Sequence, residues 1–272
     1  MRKYLVLILV AIGCFSESCA KKSTETIVRF ETTYGNITVK LYPETTKHRS
    51  NFLKLVNDGF YNCVLFHRVI ENFMIQGGDP KSKTATPEAY LGSGDVGYTI
   101  PAEFIYPKYY HKRGALAAAR ENDQINPIKA SSGCQFYIVQ GRTFSDEKLD
   151  SIDQRKYQKA EESLFQDIAE KKQNEIKILI KQKNKVKIQA LSDSILKVVH
   201  EQLKLHPTYK LTPQQRTDYK TIGGTPHLDG SYTVFGEVIE GLEIVERISK
   251  AKTNDNNRPL EDIKVIKAEV IN

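Results

Sequence analysis

The sequence predicts a mainly β fold, a barrel or a sandwich, that is interrupted by one helical insertion. Several short apolar runs of β character are separated by Gly and Pro, and one early helical stretch lies among them. Between Ser145 and Lys220 the chain contains no Gly and is rich in Lys, Gln, Glu, Ile and Leu. Because β character returns after this segment, we interpret it as an insertion (143–220) into one β domain (27–142 and 221–272).

The amino terminus is predicted to be a secretory signal. The basic pair Arg2-Lys3 precedes the apolar run Tyr4–Ile12, which is too short for a membrane-spanning helix of ~20 residues. The sequence Ala-Ile-Gly-Cys ending at Cys14 resembles a bacterial lipobox, and Cys19 is a second candidate for lipidation. The first 18 residues are therefore expected to hold the signal peptide, the lipid anchor and the start of a tether. Cleavage without a lipid remains the alternative.

This leader predicts where the protein resides. We expect it to be a lipoprotein in the cell envelope, anchored to a bacterial membrane and facing the periplasm or the cell surface. The lipid anchor would be its contact with the membrane.

The β domain opens with a predicted hairpin, formed by Ile27–Thr32 and Ile37–Leu41. In the second run apolar and polar residues alternate, as expected for a strand with one buried face. A helix is predicted from Pro43 to just before Gly59, with one apolar face. The remaining predicted elements are strands at 64–70, 73–76, 114–119, 136–139, 233–238 and 263–270, and a helix at 242–248.

Two or three amphipathic helices are predicted within the insertion, which Pro207 and Pro213 are taken to end. Three groups of apolar residues each share a helical face: Leu164, Phe165 and Ile168; Ile176, Leu179 and Ile180; and Leu191, Ile195 and Val199. Two interpretations stay open, a spacer that packs on the β domain or an arm that holds unfolded clients.

Composition argues against several classes of function. The formal charge is +7, but Lys and Arg are mixed with acidic residues along the chain, so no nucleic-acid partner is predicted. The six histidines lack metal-ligand spacing, and no metal or cofactor is predicted. Cys63 and Cys134 are interpreted as buried thiols in strands, with a disulfide as the alternative. Gly92–Gly97 matches GxGxxG without a surrounding βαβ unit, so it is interpreted as a turn.

Three ordered blocks carry the strongest functional signal. They are Phe66–Asp79 (FHRVIENFMIQGGD), Gly133–Ile138 (GCQFYI) and His227–Gly236 (HLDGSYTVFG). Together they resemble the active-site blocks of the cyclophilin family, over about residues 27–141 and 222–271. The resemblance implies an eight-stranded antiparallel barrel capped by two helices. It also implies peptidyl-prolyl cis/trans isomerase activity on proline-containing polypeptides.

The resemblance also implies a set of site residues. Arg68, Phe73 and Gln76 are expected to be catalytic. The expected substrate-binding residues are Met74, Ala119, Arg120, Gln135, Tyr137, His227, Leu228 and Tyr232. Many cyclophilins carry a second Phe where this chain has Tyr137, so the added hydroxyl needs a partner or solvent. Arg120 stands where the family has a neutral Asn, and it is expected to favour peptides with acidic flanks.

These residue types suit bond rotation, which needs no nucleophile, metal or proton transfer. The prolyl amide resists rotation by ~18–20 kcal/mol because of resonance. When the bond twists, the nitrogen lone pair becomes available to a donor, and the Arg68 guanidinium is the candidate. We therefore expect an isomerase that assists the folding of exported proteins. The alternative is a catalytically weak module that binds proline peptides, or a chaperone that uses the helical insertion.

Overall fold

Ten β-strands and six α-helices form in the part of the chain that the computed structural model describes, residues 26–205 and 209–271. Eight strands make one antiparallel sheet in the order β10-β1-β2-β9-β6-β8-β4-β3, and β5 pairs with β7. The strands are β1 (Thr26–Thr32), β2 (Gly35–Leu41), β3 (Arg68–Ile70), β4 (Met74–Gly77), β5 (Thr99–Ile100), β6 (Ala115–Ala118), β7 (Ser131–Ser132), β8 (Phe136–Val139), β9 (Val234–Glu240) and β10 (Val265–Val270).

Backbone hydrogen bonds join the two ends of the eight-stranded sheet. The amide of Cys63 donates to the carbonyl of Val265 over 2.7 Å, and the amide of Phe66 donates to Ile263 over 2.8 Å. These bonds connect the segment before β3 to the start of β10, so the sheet closes on itself. The predicted eight-stranded antiparallel barrel with a helical insertion is confirmed.

Two helices, α1 (Thr46–Asn57) and α6 (Leu242–Ser249), pack their apolar faces against the core of the barrel. The first begins three residues after its predicted start at Pro43. Its first turn is stabilised by the Glu103 carboxylate, which accepts hydrogen bonds from the amides of Lys47 and His48 at 3.0 and 2.9 Å. A carboxylate from a distant loop thus supplies the cap that no side chain next to the helix provides.

Four helices lie between β8 and β9, where the sequence predicted two or three. They are α2 (Asp146–Lys171), α3 (Gln173–Lys181), α4 (Lys185–Leu205) and α5 (Pro213–Thr221). The apolar faces of α2 and α4 form a small core of their own around Ile195, Val199 and Leu203. A second cluster joins the helices to the barrel, with Leu149 and Tyr219 packed against Tyr110 and Phe144.

Pro213 begins α5, so the interpretation of Pro213 as an end of the helical segment is wrong. Thr212 accepts a hydrogen bond from the Gln215 amide at 3.2 Å, and the Gln215 side chain accepts one from the Thr212 amide at 2.8 Å. This reciprocal capping box, with proline at the first helical position, is a helix start.

The interpretation of the two cysteines as buried thiols in strands is wrong in part. Both are free. Cys63 is exposed and lies in a turn at φ 66°, and Cys134 is buried but precedes β8. Burial raises the pKa of the Cys134 thiol to about 11. None of the helices within residues 26–205 and 209–271 combines the length and the apolar composition needed to cross a membrane.

Candidate active site

A groove on the barrel surface brings together ten of the eleven predicted catalytic and substrate-binding residues. Strand register explains part of this arrangement, because β4 lies between β3 and β8. Gln76 pairs with Arg68 on one side and with Tyr137 on the other. The predicted residues that line the groove are Arg68, Phe73, Met74, Gln76, Ala119, Arg120, Gln135, Tyr137, Leu228 and Tyr232.

Arg68 presents a half-buried guanidinium to this groove. Its Nη1 donates to Gln76 Oε1 over 3.1 Å, and its Cζ lies 6.0 Å from the centroid of the Phe73 ring. No carboxylate among the described residues forms an ion pair with it. Burial lowers the pKa of Arg68 from its ordinary value, yet a guanidinium stays protonated in proteins. The site therefore contains an unneutralised cation with donors left over for a substrate.

A chain of side-chain amides fixes the orientation of Arg68. Gln76 Nε2 donates to Gln135 Oε1 over 2.9 Å. Gln135 Nε2 in turn donates to the carbonyls of Gly92 and Gly94, over 2.9 and 2.7 Å. Because carbonyls only accept, Gln135 must turn its nitrogen towards the glycines and its oxygen towards Gln76. The same logic turns Gln76 Oε1 towards Arg68, so the whole chain has one direction.

Asp79 anchors the turn that begins this chain. Its side chain is buried and accepts from the amides of Gly92 and Gly94 at 2.6 and 3.2 Å. A Cβ at position 94 would lie 1.9 Å from Asp79 Oδ1, so only glycine fits there. The turn predicted for the GxGxxG stretch is present, but its part in the site was missed. The signal available in the sequence was Asp79 itself, which ends the first block.

Apolar side chains form a slot beside Arg68. Met74 and Tyr137 are buried in one cluster, and Phe73, Leu228 and Tyr232 pack against it partly exposed. His227 does not line the groove. Instead its ring stacks on Phe73, with centroids 5.6 Å apart and an interplanar angle of 29°. His227 is exposed and thus contacts one wall of the slot, Phe73, from outside the groove.

The hydroxyl of Tyr137 has a buried partner that the sequence did not reveal. It lies 3.0 Å from Nε2 of His111, whose Nδ1 lies 3.0 Å from Oδ1 of Asp229. A carboxylate only accepts, so Nδ1 carries a proton, and in the neutral ring Nε2 accepts from the tyrosine. The hydroxyl therefore points away from the groove, and the slot keeps an aromatic wall.

Arg120 lines the groove but has all of its charge engaged within the protein. Its guanidinium donates to the carbonyls of Ser231 and Glu121, each at 2.8 Å, and pairs with Asp123 at 2.7 Å. It also lies over the Tyr232 ring, 4.3 Å from the centroid. Asp123 is shared with Lys129 and Lys159, at 4.0 and 3.7 Å, so this cluster keeps a net positive charge and the preference for acidic flanks stays a prediction. The side chain holds the rim residue Tyr232 in place.

Within residues 26–205 and 209–271 no group of three or more His, Cys, Asp or Glu side chains is arranged to bind a metal ion. The predicted lipidation sites Cys14 and Cys19 lie outside the described residues.

A family model and curated relatives place this chain among known proteins. The family model described as "Cyclophilin type peptidyl-prolyl cis-trans isomerase/CLD" matches residues 27–176 and 219–270. A Staphylococcus saprophyticus protein, provisionally named as a peptidyl-prolyl cis-trans isomerase, is 30% identical over 242 residues, which cover 88% of this chain and 89% of that protein. Peptidyl-prolyl cis-trans isomerase-like 1 of Aspergillus fumigatus is 27% identical over 248 residues, 90% and 96% of the two chains.

Solved structures share the fold at low sequence identity. A crystal structure of a cyclophilin type peptidyl-prolyl cis-trans isomerase from Cryptosporidium parvum superposes with a TM-score of 0.54 at 20% identity, covering 91% of this chain and 98% of that one. A second crystal structure of that protein, in the presence of the dipeptide Ala-Pro, gives a TM-score of 0.53 at 20% identity and covers 90% and 99%.

Proposed function

This chain belongs to the cyclophilin-type peptidyl-prolyl cis-trans isomerases, and we propose that Arg68 catalyses rotation by donating a hydrogen bond to the prolyl nitrogen of the twisted amide. Gln76 orients the guanidinium, and the apolar slot of Phe73, Met74, Tyr137 and Leu228 holds the proline ring. The substrates are X-Pro bonds of polypeptides. The presence of Ala-Pro with the related Cryptosporidium protein supports this substrate class.

The observation that carries the proposal is the Arg68 guanidinium beside the apolar slot. It is held by Gln76, and it forms no ion pair with a carboxylate in the part of the chain that the structure describes. Resonance makes the planar nitrogen a poor acceptor, so the donor interacts strongly only with the twisted state. The energy required is modest, since an acceleration of ~10⁵ corresponds to ~7 kcal/mol. A preorganised donor in a water-poor site supplies about 3–4 kcal/mol of this in enzymes whose donors have been removed. Shape complementarity of the slot to the proline ring in the twisted-amide state must supply the rest.

The first prediction concerns Arg68. Substituting Arg68→Ala removes the donor, and we expect the catalytic efficiency towards an Ala-Pro peptide to fall about 10²–10³-fold. Exchange NMR of the peptide measures this efficiency directly. The matched control is Arg155→Ala, which deletes an exposed guanidinium in α2 that does not line the groove. If both variants match the wild type, Arg68 has no part in the mechanism.

We further propose that the enzyme assists the folding of exported proteins while anchored by lipid at Cys14. The support is the leader, with Arg2-Lys3, the apolar run Tyr4–Ile12 and the lipobox-like Ala-Ile-Gly-Cys. Uncatalysed prolyl rotation takes ~10–100 s, slow enough to limit the folding of a protein that has just crossed a membrane.

The lipid anchor predicts a specific mature terminus. Mass spectrometry of the membrane fraction should find an acylated peptide that begins at Cys14. Cys14→Ala should abolish acylation, whereas Cys19→Ala should still give an acylated peptide that begins at Cys14. An acylated peptide that begins at Cys19 would move the anchor to the alternative site. Unmodified protein released from the membrane would exclude lipidation.

A further inference from the structure

A buried chain of polar side chains runs from the helical insertion to the wall of the substrate slot. Tyr219 of α5 donates to Asp229 Oδ2 over 2.7 Å, and Lys156 of α2 lies 3.7 Å from the same oxygen. The other carboxylate oxygen, Oδ1, accepts from the backbone amide of His111 at 2.9 Å and lies 3.0 Å from its Nδ1. His111 then meets the Tyr137 hydroxyl.

The polar side chains that link Tyr219 to Tyr137 are buried, so the loss of one hydrogen bond affects the positions of the others. The side chain of Asp229 is 0% exposed and that of His111 is 1% exposed. Water therefore cannot replace a lost partner, and each donor that is removed leaves the carboxylate free to turn towards those that remain. Because Tyr219 and Lys156 both act on Oδ2, they set the angle at which Oδ1 faces His111.

Asp229 also fixes a second wall of the slot through its backbone. It directly follows Leu228, which packs against the slot, and His227, which stacks on Phe73. Asp229 thus supports two walls of the slot. It supports Tyr137 through His111, and it supports Leu228 through the backbone that joins the two residues.

We propose that the helical insertion sets the affinity of the slot for proline through this chain, with Tyr219, Asp229 and His111 as positioning residues. The inference rests on the proposed function, because the slot is taken to be the proline site. Helices α2 and α5 are then part of the substrate-binding apparatus, although none of their residues lines the groove. Any partner that shifts these helices would change substrate affinity.

The test compares two tyrosines at the same interface. Tyr219→Phe removes the hydroxyl that holds Asp229. Tyr110→Phe removes a hydroxyl that donates its hydrogen bond to Asp218 of α5 instead of to Asp229. The ring of Tyr110 packs on that of Tyr219, so the two sites share their surroundings.

We expect KM for an X-Pro peptide to rise about three- to tenfold in Tyr219→Phe, the size of one lost hydrogen bond. The turnover number should stay within about twofold, because the slot holds the ring in the ground state and in the transition state alike. Tyr110→Phe should leave KM within about twofold of the wild type.

A spectroscopic readout separates this inference from the proposed function. In the ligand-free protein, ¹⁵N NMR of the imidazoles should show His111 with its proton on Nδ1. That signal should shift in Tyr219→Phe and remain in place in Tyr110→Phe, whether or not the protein isomerises peptides. Equal KM and equal His111 signals in the two variants would overturn the proposal.

A second variant protects the test against loss of folding. Should Tyr219→Phe fail to fold, Lys156→Met removes the charge near the same oxygen and keeps most of the side-chain stem. Its KM should rise in the same direction, whereas the exposed Lys148→Met on the same helix should match the wild type. No difference between these two lysine variants would equally contradict the inference.

Discussion

Arg68 owes its orientation to neighbours that are not themselves charged. Arg68 donates to Gln76, and Gln76 donates to Gln135. Gln135 donates to the carbonyls of Gly92 and Gly94, which fix the direction of the whole series. A carboxylate in place of Gln76 would hold the guanidinium more strongly. It would also neutralise the charge that the twisted amide needs, so a neutral amide combines support with an available donor.

His67, next to Arg68, yields a prediction about pH. It is 3% exposed, and burial lowers its pKa to about 4 from an ordinary value of 6.5. The unfolded chain therefore binds more protons than the folded one between these values, and stability falls as the pH drops from 6.5 towards 4. The expected loss at pH 4.5 from this one group is roughly 2–3 kcal/mol.

Urea unfolding at pH 7.5 and pH 4.5 measures this contribution. Other groups titrate over the same range, so the quantity to compare is the pH-induced change in the free energy of unfolding. That change should be smaller in His67→Gln than in the wild type by the amount given above. An identical change in both proteins would show that the protonation of His67 does not differ between the folded and the unfolded state, and would contradict the prediction.

At the residue scale, local motifs predicted the groove but not its support. Arg68, Phe73 and Gln76 belong to one block, and the β3–β4 hairpin brings them together by strand pairing. His111 carries no such signal. It lies in a loop without a motif and meets Tyr137 only through the closed fold. Long-range contacts between single polar residues leave no pattern in a sequence.

The turn that contains Gly92 and Gly94 fixes the orientation of Gln135, and through Gln76 that of Arg68. Gly94→Ala would push a Cβ against Asp79, which is fully buried and has no room to retreat. We expect a loss of about 1–3 kcal/mol in stability from overpacking, and a lower catalytic efficiency because Gln135 loses its anchor.

Gly97→Ala is the matched control for that substitution. Its Cβ would meet nothing within 4 Å, although φ of +80° adds strain of about 1 kcal/mol. Thermal unfolding and peptide isomerisation should both distinguish the two variants. If Gly94→Ala retained full activity, the turn would not be part of the catalytic support.

Helices and strands with a regular apolar pattern were predicted from the sequence. Helix α5, which is marked mainly by the capping residues at its start, was not. The hairpin of β1 and β2 follows its alternation, and α6 follows its apolar face. Helix α5 was missed because Pro213 was taken as a stop. The pair Thr212 and Gln215 carried the correct signal, since this spacing caps a helix that begins at the proline.

Across the whole molecule, closure of the barrel and docking of the insertion depend on contacts far apart in the chain. Cys63 meets Val265, and Tyr110 packs on Tyr219. The sequence indicated that a helical segment interrupts the β domain, but it contained no pattern that places the helices on the barrel.

The two interpretations of the insertion are narrowed by its packing. The apolar residues around Leu164, Phe165 and Ile168 pack against α4 within the small helical core. That face is therefore occupied and is not available to capture unfolded clients. Ile178 and Ile180 of α3 are exposed, so an arm that binds clients through α3 stays open. The role through the barrel remains our proposal.

We propose that Arg68 stabilises the twisted amide and not the bound planar isomers. Line-shape NMR of an Ala-Pro peptide measures the affinity for each isomer and the rate of their exchange on the enzyme in one experiment. In Arg68→Ala we expect exchange on the enzyme to slow about 10²–10³-fold while both affinities change by less than about threefold. Weaker binding of both isomers, with exchange on the enzyme unchanged, would contradict it.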